Sequence, residues 1–307
     1  MFVSEAFALS SAVCIALSSM FISELNGRVP LMRLARWQLT AGFVITASVA
    51  TIVGGWATLG LWQIGNLAAS GVFGIALAST TYFAAIYTAG PRLTALLFSL
   101  TSPFALIMGY FAFGETISAT QGAGVGLILA GIVIAIGLRR RRPPAMIPLS
   151  DAEPIESIPA SGPPPSLLGI SLGIFTAFGQ AMGSLLARPA MASGVEPFAA
   201  MAVRSGLAVL FFWSLLALPK IRRDVADFRK ADFGIAVIAA FFGTALGMSL
   251  LMAALSTGNV GIVSTLSSMT PVVILPMVWL RSGQMPRVHA WCGAGLAIIG
   301  TALISTT

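Results

Sequence analysis

The sequence predicts an all-α integral membrane protein, with ten transmembrane helices arranged as two inverted five-helix repeats around a central cavity. Three observations support this fold class. Apolar residues make up 57% of the 307 residues and charged residues only 9%, whereas soluble domains carry about 25% charged residues. The apolar residues form ten long tracts, five on each side of one polar segment. Motifs of the first five tracts recur in the last five at a nearly constant offset.

Each apolar tract is long enough to cross a bilayer, because about 20 helical residues span a hydrocarbon core roughly 30 Å thick. Backbone polar groups in lipid must be satisfied within a helix or a closed barrel, and barrel strands would alternate over about 10 residues. The continuous tracts therefore predict helices. Their approximate bounds are 4–22, 31–52, 66–88, 93–112, 120–138, 167–187, 198–218, 233–255, 260–280 and 289–304. The first tract lacks a basic start and a small-residue cleavage site, so we expect no cleavable signal peptide.

The segment 139–166 separates the two sets of tracts. It begins with four consecutive arginines and contains eight of the 17 prolines. Such a composition cannot bury a core and predicts an extended linker. The predicted organisation is therefore a first repeat over 1–138, a linker over 139–166 and a second repeat over 167–307.

Several features recur about 168 positions apart. Pro103 and Pro271 each follow a run rich in hydroxyl residues, and Arg36 and Arg204 each follow a proline by six or seven residues. Because each half has an odd number of helices, the two copies must cross the membrane in opposite directions. Inverted repeats of this kind are typical of secondary transporters, which bind their substrates near mid-membrane at the repeat interface.

The distribution of Lys and Arg predicts the orientation. One face, formed by the turns after predicted helices 1, 3, 5, 7 and 9, carries fifteen of the 17 basic residues; the other carries Arg188 and Arg204. Cytoplasmic loops are enriched in Lys and Arg. We therefore expect a multi-pass protein of the cell inner (cytoplasmic) membrane, with the linker in the cytoplasm and both termini outside.

One stretch carries a resemblance to a known family. Residues 93–136 contain Leu97-Phe-Ser-Leu-Thr-Ser-Pro103, then Gly114-Glu115-Thr-Ile-Ser, then Gln121-Gly122 and Gly131. This pattern resembles the EamA-type repeat of the drug/metabolite transporter (DMT) superfamily, and residues 260–304 resemble the same unit. The resemblance implies a ten-helix carrier, commonly an exporter of amino acids or similar metabolites, with the YddG-like amino acid exporters as the nearest kind.

Two features depart from the pattern of that family. Its members usually place a glutamate after helix 9 as well, where this chain has Gln284. They are also expected to have cytoplasmic termini, whereas the basic residues of this chain predict the reverse.

The positions of the titratable residues limit the mechanism. All ten acidic residues fall at the ends of predicted helices, in turns or in the linker, and His289 lies at the start of the last helix. Membrane proton relays depend on buried carboxylates or histidines. We therefore expect a carrier without an obligatory proton relay and not an enzyme, which would need a catalytic cluster inside the bilayer. No metal-ligand spacing or phosphate-binding loop occurs, so neither metal nor cofactor is predicted.

The predicted substrate-binding residues are mostly uncharged hydrogen-bonding groups, with two arginines. They are Ser79, Tyr82, Ser99, Ser102, Gln180, Ser184, Ser267, Thr270, Arg36 and Arg204. Prolines in mid-helix free carbonyl groups that hydroxyls or a substrate could satisfy, although the hydroxyls could also only repair or pack the helices. The two arginines could bind substrate carboxylates at opposite mouths of the path, or could extend to the lipid headgroups.

Together these features predict a secondary transporter that moves small neutral or zwitterionic metabolites, such as aromatic or other neutral amino acids, by alternating access, as an exporter. The alternatives are a multidrug or cationic-compound exporter of the same superfamily, and an integral-membrane enzyme. The expected partners are the lipid bilayer and a small-molecule substrate, with no nucleic acid. The chain is expected to be a monomer or a weak homodimer, the latter through Gly124, Gly126 and Gly131, since small residues let helices approach closely.

Overall fold

The structure, a computed structural model, describes residues 2–25, 28–89, 94, 97–137, 167–215, 229–282 and 288–305. Within these ranges the chain is almost entirely helical and has no β-strand. The helices are α1 (Phe2–Glu24), α2 (Leu31–Val53), α3 (Leu61–Gly71, Val72–Leu77 and Ala78–Ala89), α4 (Thr101–Phe113), α5 (Ala119–Gly137), α6 (Leu167–Ala192), α7 (Pro197–Ser214), α8 (Lys230–Ala240, Phe241–Gly247 and Met248–Thr257), α9 (Val260–Ser267), α10 (Thr270–Ser282) and α11 (Val288–Ser305). The predicted linker 139–166 and Gln284 lie outside the described residues.

Much of this helical structure has the length and composition of membrane spans. Five stretches are long and apolar enough to cross a bilayer: Val3–Ile22, Leu61–Tyr82, Leu167–Ala192, Pro197–Ser214 and Lys230–Thr257. Shorter apolar helices cover Thr101–Phe113, Ala119–Ile134, Val260–Ile274 and Trp291–Ile304. The chain is thus an all-helical membrane protein, while the count of ten spans stays a prediction.

The two prolines that were expected in mid-helix instead lie near helix starts. A turn at 268–269 divides the predicted helix 260–280 into α9 and α10, and a similar turn at 99–100 precedes α4. Pro103 and Pro271 are the third and second residues of the helices that follow these turns. Proline is tolerated in a first turn, where its missing N–H has no helical partner to lose. The prolines therefore begin new helical segments rather than kink continuous ones.

Two π-helical stretches occupy corresponding places in the two halves. Val72–Leu77 interrupts α3, and Phe241–Gly247 interrupts α8, 169 positions later. The turns at 99–100 and 268–269 are also 169 positions apart. π-Helical turns often mark functional sites, because their wider spacing loosens the helix locally. The repeat is therefore visible in backbone irregularities as well as in the sequence.

Corresponding helices of the two halves pack against each other in opposite directions. In α2 and α7, Thr40 contacts Trp213 through a 3.0 Å hydrogen bond, and Phe43, further along α2, lies against Gly206, earlier in α7. Antiparallel pairing of equivalent helices is the geometry expected of an inverted repeat.

The glycines of α5 pack within the chain. A Cβ atom added to Gly124 would lie 2.6 Å from the carbonyl oxygen of Gly300, and Gly131 lies equally tightly against Gly293 of α11. Gly126 has no neighbouring atom within 4 Å of an added Cβ. Two of the three glycines considered for a homodimer face are therefore already covered by α11, because small residues allow close helix crossing.

Candidate functional site

A cavity of about 690 Å³ lies between the two halves, within the range of roughly 300–1,000 Å³ typical of ligand sites. Helices α1 to α10 all contribute to its wall. Its polar lining residues are Ser19, Gln38, Ser79, Tyr82, Ser99, Thr101, Thr176, Gln180, Ser184, Thr244, Ser264, Ser267, Ser268 and Thr270. No charged side chain lines it within the described part of the chain. The cavity therefore offers uncharged hydrogen-bonding groups in an otherwise apolar wall.

Most of the predicted site residues lie together at this cavity. Seven of the ten line its wall: Ser79, Tyr82, Ser99, Gln180, Ser184, Ser267 and Thr270. Ser102 does not, because its hydroxyl is buried in a hydrogen bond with Thr265 that joins α4 to α9. Arg36 and Arg204 are also buried and are not among the lining residues. The structure thus places three predicted residues between helices rather than at the cavity or at its mouths.

The run of four hydroxyl residues on α3 divides between two roles. Thr80 donates to the carbonyl oxygen of Ala76 at 2.8 Å, within its own helix. Thr81 shares a 2.8 Å hydrogen bond with Thr176 and so joins α3 to α6. Ser79 and Tyr82 face the cavity. Four consecutive residues cover every direction around a helix axis, so only the packing of neighbouring helices decides which of them reaches the cavity.

The cavity face of α6 has a regular pattern. Thr176, Gln180 and Ser184 are spaced four residues apart, which places them on one side of a helix. The sequence prediction included Gln180 and Ser184 but missed Thr176. This spacing was the available signal for it. Six further polar lining residues were not among the predicted site residues: Ser19, Gln38, Thr101, Thr244, Ser264 and Ser268. Their signal was that they are polar residues within apolar tracts, and the last two and Thr101 lie in the hydroxyl-rich runs before the two prolines.

The two helix breaks present equivalent groups to the cavity. Thr101 donates to the carbonyl oxygen of Phe98 at 2.7 Å, and Thr270 donates to that of Ser267 at 3.2 Å. All four residues line the cavity. Each break therefore satisfies part of its own backbone with a hydroxyl, and the cavity receives polar groups from both halves.

A polar cluster that the sequence prediction did not assign lies at one end of the bundle. Glu115 accepts a 2.9 Å hydrogen bond from the backbone N–H of Val260, and its carboxylate lies 3.8 Å from Nε of Arg188. Arg188 in turn donates to the carbonyl oxygen of Ser256 at 3.1 Å. We call these four residues the Glu115 cluster. It joins the loop after α4, the end of α6 and the start of α9.

The carboxyl group of Glu115 is protonated more readily in this cluster than it would be in water. Burial raises the pKa of Glu115, while the hydrogen bond from Val260 and the charge of Arg188 lower it by less. Gly109 makes room for the carboxylate, since an added Cβ there would lie 2.7 Å from Oε2 of Glu115. Along α6 and α9 the cavity residues lie further from this end than Arg188 and Val260 do. The cluster thus lies between the cavity and one face of the bundle.

Membrane-length helices and an uncharged cavity lined by residues from both sequence halves define an all-helical membrane protein with an internal space for a small solute. The sequence model of the EamA-like transporter family matches this chain twice, over residues 3–137 and 167–306. The chain belongs to the EamA-like transporter family, within the DMT superfamily.

Comparison with solved structures supports the same fold. A structure described only as "Crystal structure of protein" is similar with a TM-score of 0.78, covering 99% of this chain and 96% of that chain at 17% sequence identity. At this identity the likeness concerns the fold alone. No curated protein matches the sequence.

Proposed function

We propose that the protein is a secondary carrier that moves small neutral or zwitterionic metabolites, amino acids above all, through the central cavity. The observation that carries this proposal is the uncharged wall of a cavity of about 690 Å³ to which both halves contribute. A fixed charge in a water-poor site would bind an opposite charge and exclude a like one. Hydroxyl and amide groups instead suit a solute whose own charges sum to zero.

The proposed mechanism is alternating access, with the Glu115 cluster closing one end. The breaks at 99–100 and 268–269 and the two π-helical stretches border the cavity from both halves, where local rearrangement requires the fewest broken helical hydrogen bonds. Opening the Glu115 cluster while the opposite end closes would expose the same cavity to the other side. Such exchange around a fixed mid-membrane site is how inverted-repeat carriers work.

Coupling to a buried proton relay is not part of this proposal. The described residues that line the cavity include no Asp, Glu or His, and proton-driven carriers use such groups. We expect a facilitator or exchanger of the inner membrane that acts in export. The basic residues favour a cytoplasmic linker and external termini. In proteoliposomes, accumulation of substrate against its gradient under an imposed pH difference would contradict this assignment.

The decisive experiment is counterflow in proteoliposomes with a panel of radiolabelled amino acids and cationic drugs. Saturable counterflow of neutral amino acids is expected. Counterflow of cationic drugs alone would identify a multidrug exporter, conductance steps would identify a pore, and product formation without flux would identify an enzyme.

Variants at the cavity test the site itself. Tyr82→Ala and Gln180→Ala are expected to raise the substrate concentration for half-maximal transport about tenfold, because each removes wall and a hydrogen-bonding group. Thr80→Val is the matched control, since Thr80 bonds within α3 next to the cavity residues. Equal transport by all three variants would remove the cavity from the mechanism.

A further inference from the structure

Arg204 of α7 is a fully buried cation. Its relative exposure is 0%, and it is the largest fully buried side chain among the described residues. Taking a guanidinium out of water is costly unless the charge is paired and its donors are satisfied. A buried arginine therefore normally lies against a carboxylate.

The partners of Arg204 do not compensate its charge. Nη1 donates to the thioether sulfur of Met252 at 2.9 Å, and a thioether is a weak acceptor. Nε and Nη2 have no hydrogen-bond partner within the described ranges. The ion pairs found among these residues involve other side chains. Among the residues that the structure describes, the guanidinium thus keeps two unused donors and has no anion beside it.

One of the unused donors, Nη2, lies close to a residue of the cavity wall. A Cβ added to Gly74 would lie 3.2 Å from Nη2 of Arg204, and Gly74 itself lines the cavity. Gly74 belongs to the π-helical stretch Val72–Leu77 of α3. Met201, one turn before Arg204, also lines the cavity. A glycine backbone in a loosened helical turn therefore stands between the guanidinium and the hollow.

We propose that Arg204 is the carboxylate-binding residue of the cavity and that the transported solute carries a carboxylate. This inference rests on the proposed carrier function and narrows its substrate class. A guanidinium presents parallel donors that match the two oxygens of a carboxylate. A small displacement of Val72–Leu77 exposes Nε and Nη2, and the substrate supplies the missing anion. The uncharged wall then receives the remainder of the solute, so amines without a carboxylate are poor substrates.

The test compares an amino acid with its amide in proteoliposome counterflow, using leucine and leucinamide. Wild type is expected to prefer leucine by about tenfold to a hundredfold, the range for a charge-assisted hydrogen bond. In Arg204→Met the preference for leucine over leucinamide is expected to fall to about threefold or less. The preference of Arg204→Lys is expected to lie between those of wild type and Arg204→Met. Ser205→Ala is the matched control, because Ser205 is buried beside Arg204 and donates to carbonyl oxygens of Met201 and Ala202 within α7.

Thermal unfolding separates this role from a structural one. Arg204→Met removes an uncompensated buried charge, so its unfolding temperature is expected to equal or exceed that of wild type. Gly74→Ala keeps the charge but places a methyl group 3.2 Å from Nη2 and 3.0 Å from Cα of Gly183 on α6. It is expected to lower the preference for leucine as well, and also the unfolding temperature, which Arg204→Met does not lower.

Three results would overturn the proposal. They are equal counterflow of leucine and leucinamide by wild type, an unchanged preference in Arg204→Met, and a marked loss of its thermal stability. Wild-type counterflow is also measured with chloride replaced by isethionate. If counterflow is then lost, and if leucine and leucinamide are transported equally in chloride, Arg204 binds an inorganic anion instead of the substrate. If wild type shows no counterflow of any substrate, the carrier function itself is refuted. The three results above, by contrast, refute only the role of Arg204.

Discussion

Replacing Glu115 by alanine is expected to open the end of the bundle that the Glu115 cluster closes. The substitution removes the acceptor for the N–H of Val260 and the partner of Arg188. Without the carboxylate the N–H of Val260 lacks this acceptor, and leaving a buried donor unsatisfied costs about 1–3 kcal/mol. Relief of the desolvation of Glu115 offsets part of that cost. A net loss of about 1–2 kcal/mol shifts the equilibrium between closed and open forms about five- to thirtyfold.

Thiol labelling measures this shift. A cysteine at Ser264, a cavity residue one turn into α9 from Val260, reports access to the cavity. The background carries Cys14→Ala and Cys292→Ser, since both native cysteines are free. With a membrane-impermeant reagent added from the Glu115 end, labelling is expected to be about five- to thirtyfold faster in Glu115→Ala than in the parent. Unchanged labelling would show that the cluster does not hold this end closed.

The pH dependence provides an internal check. Burial raises the pKa of Glu115 above its value in water, so the closed form binds the proton more tightly than an open, hydrated form does. Lowering the pH toward this raised pKa should therefore favour closure and slow the labelling, while raising it above that pKa should speed the labelling. Glu115→Gln keeps an acceptor for Val260 and cannot titrate. It is expected to stay near the closed parent and to lose the pH dependence.

Three further predictions concern packing and caps. Gly124→Ala places a methyl group 2.6 Å from a carbonyl oxygen of α11 and should lower the free energy of unfolding by about 1–3 kcal/mol. Gly126→Ala is the control, because open space surrounds Gly126. Equal stability of both variants in thermal unfolding would contradict the contact between α5 and α11. Ser118→Ala removes the side-chain cap of α5 and should cost about 1 kcal/mol without changing substrate affinity. Ser102→Ala breaks the hydrogen bond to Thr265 and should lower the free energy of unfolding by about 1 kcal/mol without changing counterflow. A large change in substrate affinity would instead show that Ser102 binds the substrate.

The class of protein and the approximate bounds of most of its helices followed from the sequence, whereas turns at 99–100 and 268–269 fall inside the predicted helices 93–112 and 260–280. The thickness of the hydrocarbon core sets the length of an apolar tract, and the need to satisfy every backbone group turns that tract into a helix. The repeat was also visible in spacing, since Pro103 and Pro271 mark equivalent helix starts in the structure. The spacing did not show that the chain turns just before these prolines. The prediction that they lie in mid-helix was therefore wrong, because each of them lies in the first turn of a new helix.

Much of the cavity lining was accessible from composition, because uncharged polar residues are rare in apolar tracts and collect where lipid is absent. The sequence could not separate Ser102 from Ser99, or Thr80 from Ser79, although the structure places only Ser99 and Ser79 at the cavity. Helices that are apolar on every side carry no amphipathic pattern to show which face turns inward.

What the sequence determined by itself is therefore a helical membrane protein with two related halves and uncharged polar groups within its apolar tracts. Only the tertiary structure decided which of those groups line the cavity and which charged side chains are buried behind the lining residues. The direction of a side chain depends on how neighbouring helices cross. At Gly74 and Arg204, two helices from different halves approach until a glycine backbone separates a guanidinium from the cavity, a contact between residues 130 positions apart that no local pattern encodes.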